Sequence, residues 1–571
     1  MDNRRLILVV ALGFVLISLW QAWTRDQSQS AQQAAATTQN AAIPGSPAES
    51  TAAKDIPASV APTASGQTQG TVPGTPETKS SASNNAQTIT VKTDVLALKI
   101  SLQGGVINEA DLLKYPQEQD KADPVRLLTD SNGFVYVAQS GLVGAKGAPA
   151  PDHYAQYTAP QMEYTLTPGE NELRIPLSWE KDGIKITKWI IVKRGDYTVR
   201  VEYKIENTSQ TPWAASQYRQ LTRLGTTPGT QLVHTYTGTV YAGDVPGTKD
   251  RLAYEKIPFE EMLKTKLSKD LSNGWVAIIQ HYFMSAWVPS DRQQVNHFYT
   301  LVSDKNNQTL YTIGMSSPVT TIPAGGSGEL SSTLYVGPKI QSNLAPLAQG
   351  LNLTIDFGIF TVIADPIFWL LKFFHEWVGN WGWSIVLVTL VIKLFFLWPS
   401  AISYRSMAKM RAVTPKMKAL KEKFGEDRQK LSQEMMKLYQ REKINPLGGC
   451  LPIVIQIPVF ISLYWVLAES VELRQAPWIL WIHDLSQKDP YFVLPLLMGI
   501  SMFIQQKLNP APVDPMQQKI FAWLPVIFTV FFSFFPAGLV LYWFVNNLLS
   551  IAQQYLITRK IEKQMALIKS E

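Results

Sequence analysis

The spacing of apolar residues changes character three times along the 571-residue chain. Behind Arg4 and Arg5, "LILVVALGFVLISLWQAW" is almost wholly apolar and long enough to cross a hydrocarbon core. Such a run serves either as a secretory signal or as a membrane anchor. No small-x-small cleavage pattern follows closely, and the run passes into Gln21-Ala22-Trp23-Thr24-Arg25, so an uncleaved anchor over residues 1–24 is expected. Residues 25–87 are rich in Ser, Ala, Gln, Thr, Pro and Gly. They cannot bury enough surface to offset their ordering entropy, which predicts a flexible linker.

From Thr88 the period drops to two. "TITVKTDVLALKISLQGG" alternates apolar and polar residues, and "GIKITKWIIVKRGDYTVRVEYKIENTS" sets two alternating runs around Arg194-Gly195-Asp196, a hairpin signal. Similar runs recur in "HFYTLVSDKNNQTLYTIGM" and "GELSSTLYVGP". Residues 88–342 are therefore predicted to form a large all-β sandwich.

After Ser342 the period becomes helical. Within 343–380, "IDFGIFTVIADPIFWLLKFFHEWVGNW" is apolar at helical spacing yet carries Asp356, Asp365, Lys372, His375 and Glu376. It reads as an amphipathic helix in the membrane interface, broken near Pro366. Residues 381–571 then hold five predicted spans, at 383–398, 451–467, 491–508, 520–535 and 539–557. Several have only about 16–18 apolar residues, short for a core of about 30 Å, so the bundle should thin the membrane around it or tilt little. The expected fold is a polytopic α-helical membrane protein, an N-terminal anchor plus a five-helix core, carrying a large β domain.

Charge sets the orientation. The formal net charge of +7 invites a nucleic-acid reading, but the basic residues gather around apolar segments near the C-terminus, so no specific nucleic-acid partner is expected. With the N-terminus in the cytosol, the inner segments hold Arg4, Arg5, twelve Lys and Arg in 404–449, Lys507, Lys519 and four more in the tail. The outer loop 469–490 holds only Arg474 and Lys488, against Glu469, Glu472, Asp484 and Asp489. That bias puts both termini in the cytosol and, in a bacterium, the β domain in the periplasm. The single cysteine, Cys450, lies far from the β domain, so no disulfide staples it.

One full positive charge, Lys393, falls inside the apolar run "WGWSIVLVTLVIKLFFLWPS". A lysine near the middle of the bilayer costs about 2.5–3.5 kcal/mol. The topology sets Lys393 five or six residues from the cytosolic end of its span, roughly 8–9 Å deep. The plain reading is that its stem snorkels to the interface. Its companions favour another. Thr389 lies one turn away on the same face; Gln456, then Ser501, Gln505 and Gln506, then Asn546, Asn547 and Ser550 occupy the cytosolic halves of three further spans. Each alone can be interhelical glue. A layer of them containing a lysine fits a wet cavity, open to the cytosol and capped on the far side, where a polar segment enters the membrane at low cost.

Residues 404–445 are predicted to form a cytosolic helical hairpin. Thr414 caps its first helix, with Pro415 in the first turn; Gly425 divides it and Asn445-Pro446 ends it. Met417, Leu420 and Phe424, then Leu431, Met435 and Leu438, give each helix an apolar stripe, and Met407, Met410 and Met436 add to a compliant surface. Two uses stand side by side: the stripes pack on each other, or they receive varied apolar chains. The basic outer face is solvated or rests on anionic lipid.

Longer runs now carry a resemblance. "INPLGGCLPIVIQIPVFISLYWVL", "SVELRQAP", "WIHDLSQKDPY", "DPMQQKI" and "FPAGLVLYW", with "WVAIIQHYF" and "LYVGPK" in the β domain, closely resemble the YidC family of membrane protein insertases. The likeness covers nearly everything but the linker. It implies a Gram-negative member with a periplasmic β-supersandwich and a five-helix core. Such a protein inserts, folds and helps assemble integral membrane proteins in the inner membrane from the cytosolic side, alone or beside the Sec translocon. The implied partners are nascent integral membrane proteins, the lipid bilayer and, transiently, the ribosome; no cofactor is implied. In the family a hydrophilic groove takes the substrate's polar flank and apolar helix faces guide its hydrophobic segment. The groove charge is usually arginine, and the matching position here is Lys393. Lysine lacks the planar fork, so simple attraction rather than bidentate pairing is expected. Thr389 matches the neighbouring groove position. Ile457, Phe460, Phe531 and Trp543 match the substrate-contacting positions; the last is commonly tyrosine, so an aromatic surface remains without its hydroxyl. The β domain of relatives resembles sugar mutarotases, without known catalysis.

Three rival readings carry less. An intramembrane serine protease needs a serine–histidine pair in the bilayer, yet none of the six histidines falls in a predicted core span. A polytopic transporter wants internal repeats and a site reachable from both faces; no repeat is visible and the polar layer is one-sided. Carbohydrate binding by the β domain stands on fold grounds alone, since His153, His234, His281 and His297 are scattered and no carboxylate pair stands out. With no cysteine cluster, HExxH or GxxxxGK, no metal or nucleotide site and no enzyme activity are expected. The driving forces are then hydrophobic partitioning and, for acidic substrate segments, a membrane potential worth about 2.3 kcal/mol per charge per 100 mV.

Overall fold

The alternation that begins at Thr88 is realised, among the described residues, as eighteen strands, from β1 (Thr88–Lys92) to β18 (Ser327–Pro338). The computed structural model describes residues 87–119, 121–131, 133–225, 236–247, 252–305, 308–424, 427–442, 451–509 and 515–570. The expected anchor, the linker up to residue 86, Gly425, Asn445-Pro446, Cys450 and His234 lie outside them.

One layer runs β7 (Glu172–Lys181), β8 (Ile184–Lys193), β9 (Thr198–Asn207), β18, β14 (Phe283–Pro289), β13 (Ser268–Ile279), β11 (Gly238–Asp244), β12 (Leu252–Ile257), each strand antiparallel to its neighbours. The other is built around β5 (Phe134–Gly144), β10 (Trp213–Leu224), β16 (Gln308–Ser316) and β15 (Asn296–Lys305). Strand β13 belongs to both: residues 268–271 pair with β15 and 276–279 with β14. It crosses between layers at Asn273, where φ is +48°, and Gly274, where a Cβ would lie 2.5 Å from the Ala242 carbonyl oxygen. Asparagine tolerates the left-handed conformation and glycine the close approach, so the crossing is written into these two residue types.

The predicted hairpin is β8–β9, turning through Gly195 at φ +69°. Ile184, Ile186, Ile190 and Val192 face inward against Val199, Val201, Tyr203 and Ile205. Lys188 sits on the same inward stripe, 1% exposed. Its ammonium donates to the carbonyls of Gly104, Gly105 and Ser140 at 2.9, 3.0 and 3.2 Å, and burial pulls its pKa down to about 7.

The helices are α1 (Phe259–Met262), α2 (Gln341–Leu347), α3 (Thr361–Val378), α4 (Trp381–Phe395), α5 (Leu397–Phe424), α6 (Arg428–Arg441), α7 (Leu451–Glu469), α8 (Val493–Leu508), α9 (Pro515–Phe532) and α10 (Ala537–Ser570). Helix α3 packs on α4 and α7, while α10 packs on α4, α5 and α8, and α9 on α8. Ile385, Val388, Leu463, Val466, Leu467 and Leu539 are among the buried side chains of this bundle. Between α7 and α8 the chain visits both cores: Val471 belongs to the β-domain core and Leu473 to that of the bundle.

The structure corrects three details. Helix α3 is not broken at Pro366; the proline loses one backbone bond near the helix start, and burial of Ala364, Ile367, Phe368 and Leu371 keeps the helix continuous. The predicted span 383–398 instead ends at Phe395 and bends by 68° into α5. Pro399 cannot donate to the Phe395 carbonyl and suits the first turn of a new helix. Helix α5 also runs straight through Thr414 and Pro415; the Thr414 hydroxyl donates back to the Met410 carbonyl at 3.1 Å instead of capping.

By length and composition 358–378 can cross a membrane, as can the bent pair α4–α5 taken together, whereas 455–469, 493–508 and 518–532 are shorter apolar helices. The 16-residue α8 is about 24 Å long at 1.5 Å per residue, below the core thickness of about 30 Å.

Candidate functional site

The end of α4, the start of α5 and the last helix meet around Lys393. Because α4 stops at Phe395, Lys393 lies in its final turn. Its Nζ donates to the Ser550 hydroxyl at 2.5 Å and approaches Asn546 Oδ1 at 3.5 Å. Ser550 in turn donates to the Asn546 carbonyl at 2.7 Å. Tyr404 of α5, almost fully buried, also hydrogen-bonds Ser550. Among the described residues no carboxylate lies within ion-pair distance of Lys393, so its charge is met by neutral acceptors only.

Beside the ammonium is a cavity of about 30 Å³, lined by Lys393, Ser400, Gln456, Tyr542 and Asn546 together with Ile392, Phe396, Ile455 and Val459. At about 10–15 Å³ per water centre, it admits about two waters, and its polar lining offers them partners. Gln456 Nε2 reaches the Tyr542 hydroxyl at 3.4 Å. Three of the five expected groove residues, Lys393, Gln456 and Asn546, thus line one cavity.

The other two lie elsewhere. The Thr389 hydroxyl turns back to the Ile385 carbonyl at 2.6 Å, buried within the bundle. Ser501 accepts from Asn547 Nδ2 at 3.0 Å and donates to the Met498 carbonyl, joining α8 to α10 as interhelical glue. Ser400, Tyr404 and Tyr542 were missed by the sequence reading. The signal was a spacing of four: Tyr542, Asn546 and Ser550 share one face of α10, and Ser400 and Tyr404 one face of α5.

Next to the cavity runs an aromatic seam. Phe460 meets Trp543 edge-on at 4.8 Å and Phe532 at 5.8 Å, while Phe531 stacks obliquely on Phe535 at 4.7 Å. Ile457 and Phe531 remain about half exposed on the bundle surface. This seam links α7, α9 and α10 through side chains.

In the hairpin, Val413 and Met417 are buried against Met410, Met435, Leu438 and Tyr439, so the two stripes do pack on each other there. Leu420, Phe424 and Leu431 stay half-buried. Asp427, not Thr414, supplies a cap, accepting from the Lys430 N–H at 3.0 Å.

Known proteins align with the whole of this architecture. The family profile described as YidC periplasmic domain matches residues 88–370, and that described as 60Kd inner membrane protein matches 373–564. The membrane protein insertase YidC of Thioalkalivibrio sulfidiphilus is 48% identical over 99% of both chains, and that of Methylococcus capsulatus 48% identical over 99% of this chain and all of that one. A crystal structure of an active YidC insertase aligns with 82% of this chain and 92% of that chain, at 16% identity and a TM-score of 0.37. With nearly half of all residues shared from end to end, the chain belongs to the YidC family, as an inner-membrane protein with a periplasmic β domain.

Proposed function

We propose that this protein inserts newly made integral membrane proteins into the inner membrane, working from the cytosolic face. The observation that carries the reading is Lys393: an ammonium without a carboxylate partner among the described residues, beside a small polar cavity inside an otherwise apolar bundle. A buried cation met only by hydroxyl and amide oxygens attracts an anionic guest, and a carboxylate on a substrate's leading segment supplies the missing countercharge. The substrate's apolar segment then leaves the cavity along Ile457, Phe460, Phe531 and Trp543, where aromatic and aliphatic surface offers hydrophobic contact close to lipid. Bringing Lys393 and Gln456 to the edge of the short bundle lowers the distance over which a polar flank crosses bare hydrocarbon.

In this reading both termini and the α5–α6 hairpin are cytosolic, the chain passes the membrane several times, Thr389 packs inside the bundle with its hydroxyl bonded to its own helix, and Ser501 ties α8 to α10 beside the cavity. The basic hairpin meets nascent chains beside the ribosome, and the protein acts alone or next to the Sec translocon. The test is site-specific photocrosslinking from positions 460 and 531 to a stalled nascent membrane protein. Adducts at both, and none from the exposed outer position 491, are expected; labelling from 491 alone overturns the reading.

A further inference from the structure

A second cleft has no part in that reading. Between the β domain and the loop joining α7 to α8 lies a crevice of about 410 Å³, within the range of about 300–1,000 Å³ common for small-molecule sites. Gln117, Gln119 and Tyr282 form the β-domain wall; Arg474, Asp484 and Lys488 stand on the other. Since one wall is the periplasmic domain, the crevice lies on the periplasmic side, beside the start of α8.

Its charges are incompletely used. Arg474 spends Nη2 on the Pro116 and Gln117 carbonyls at 2.8 and 3.0 Å, leaving Nε and Nη1 without an acceptor among the described residues. Lys488 is exposed, and its ammonium has no partner among the described residues. Asp484 accepts from Ser486 through Oδ1 at 2.8 and 2.6 Å, leaving Oδ2 free. Glu118 also lines the crevice, but its Oε2 is paired with Lys121 at 2.9 Å, so the charges facing the space are two cations, the free Asp484 oxygen and a Glu118 carboxylate already met by a lysine.

The adjoining loop is apolar where it meets solvent. Leu480 is 75% and Tyr491 69% exposed, with Phe492 exposed beside them. Gln475, Leu480 and Phe492 all have positive φ, at +57°, +53° and +56°, half of the non-glycine residues so strained among those described. Such a residue is strained and persists only where its surroundings hold it. Presenting bulky apolar side chains outward from a strained backbone makes sense against acyl chains rather than water.

We propose that this crevice seats the head group of a zwitterionic aminophospholipid from the outer leaflet, its phosphate against Arg474 and Lys488, its ammonium against Asp484, and its first acyl carbons along Leu480 and Tyr491. Phosphate takes charge-assisted bonds from guanidinium and ammonium groups, and the paired carboxylate selects a head group that also carries an amine. The site requires only that the helices lie in a membrane, not that the protein inserts anything.

The test uses the purified full-length protein in detergent, titrated by calorimetry with monomeric dihexanoyl-phosphatidylethanolamine, dihexanoyl-phosphatidylglycerol and inorganic phosphate. Saturable binding of the ethanolamine lipid is expected, about tenfold tighter than the glycerol lipid, and weakened about tenfold by Lys488→Glu. Asp484→Asn should remove the preference for the amine. Arg474 also anchors the β domain, so Lys488→Glu, at an exposed side chain, is the informative variant. Equal affinity for both lipids, or for inorganic phosphate alone, or no effect of Lys488→Glu, overturns the proposal. No substrate protein enters the titration, so its result is separate from that of the crosslinking.

Discussion

The ammonium of Lys339, at the end of the β domain, lies 3.0 Å from Glu469 Oε2 at the end of α7, and the two side chains are only 3% and 8% exposed. Beside them His281 bonds the Ala468 carbonyl at 2.6 Å, and a separate contact between the β domain and the α7–α8 loop has Gln119 donating to the His483 carbonyl at 2.6 Å. Burial lowers the pKa of Lys339 despite the neighbouring carboxylate, and taking two charges out of water costs much of what their attraction returns. Such a pair contributes geometry more than net stability. It ties the periplasmic domain to the helix whose other half carries Gln456 and Phe460.

Removing one partner should therefore hurt more than removing both. Glu469→Gln leaves a buried ammonium unpaired and is expected to destabilise the intact protein by about 3–5 kcal/mol. Lys339→Met combined with Glu469→Leu should cost less than either single change. Thermal denaturation in detergent of the wild type, Glu469→Gln, Lys339→Met, Glu469→Leu and the double variant measures this.

Lys393 is expected to matter through its charge. Lys393→Arg should keep insertion of a substrate with an acidic leading segment, whereas Lys393→Ala slows it about tenfold or more, and a substrate with a neutral leading segment is affected less. Insertion into inverted membrane vesicles, read by protease protection of the leading segment, separates the cases. Equal losses for both substrates would mean that Lys393 holds α4 to α10 through Ser550 and does nothing further.

Water should reach the cavity from one face. With Cys450 replaced by serine, a cysteine at position 546 is expected to react with a membrane-impermeant thiol reagent supplied from the cytosol and not from the periplasm. Labelling in spheroplasts and in inverted vesicles compares the two sides.

In the β domain, the depressed pKa of Lys188 makes stability depend on pH. Between about 7, its folded value, and about 10.4, its unfolded value, the unfolded chain binds the extra proton, so stability rises with pH through this window by up to about 1.4 kcal/mol per unit. Hydrogen exchange of the β8 amides in the full-length protein should slow from pH 7 to 9 once intrinsic rates are corrected. In Lys188→Met that extra slope should vanish.

The hairpin carries two roles on one stripe. Met417→Lys places a charge in the packed interface with Met435 and Leu438 and should unfold the α5–α6 pair, seen as loss of exchange protection over 410–441. Leu420→Ser, at a half-buried position, should leave that protection in place while weakening crosslinks to nascent chains.

Much of this was legible in the chain because period and composition are local. Alternation marked the β domain, and the turn at Gly195 marked the hairpin that the structure forms as β8–β9. Lys393 drew notice because one charge in an apolar run has a large cost wherever the run folds. Helix ends were less legible, since Pro366 and Pro415 look like breaks until burial of neighbouring side chains outweighs one missing hydrogen bond. Lys188 was invisible as a buried residue: only the carbonyls of Gly104, Gly105 and Ser140, distant in sequence, make that position tolerable.

Residue type and spacing along the chain were enough for the class of the protein, a β domain joined to short apolar helices with a cation among them, because hydrophobic periodicity and charge placement are local properties. Tertiary structure alone decided which polar groups share a space. Gln456, Tyr542 and Asn546 face Lys393, while Ser501 and Asn547 satisfy each other on another side of α10. Depth along a helix can be counted from the chain, but direction around its axis depends on which neighbours pack against it, and that is settled only when the helices meet.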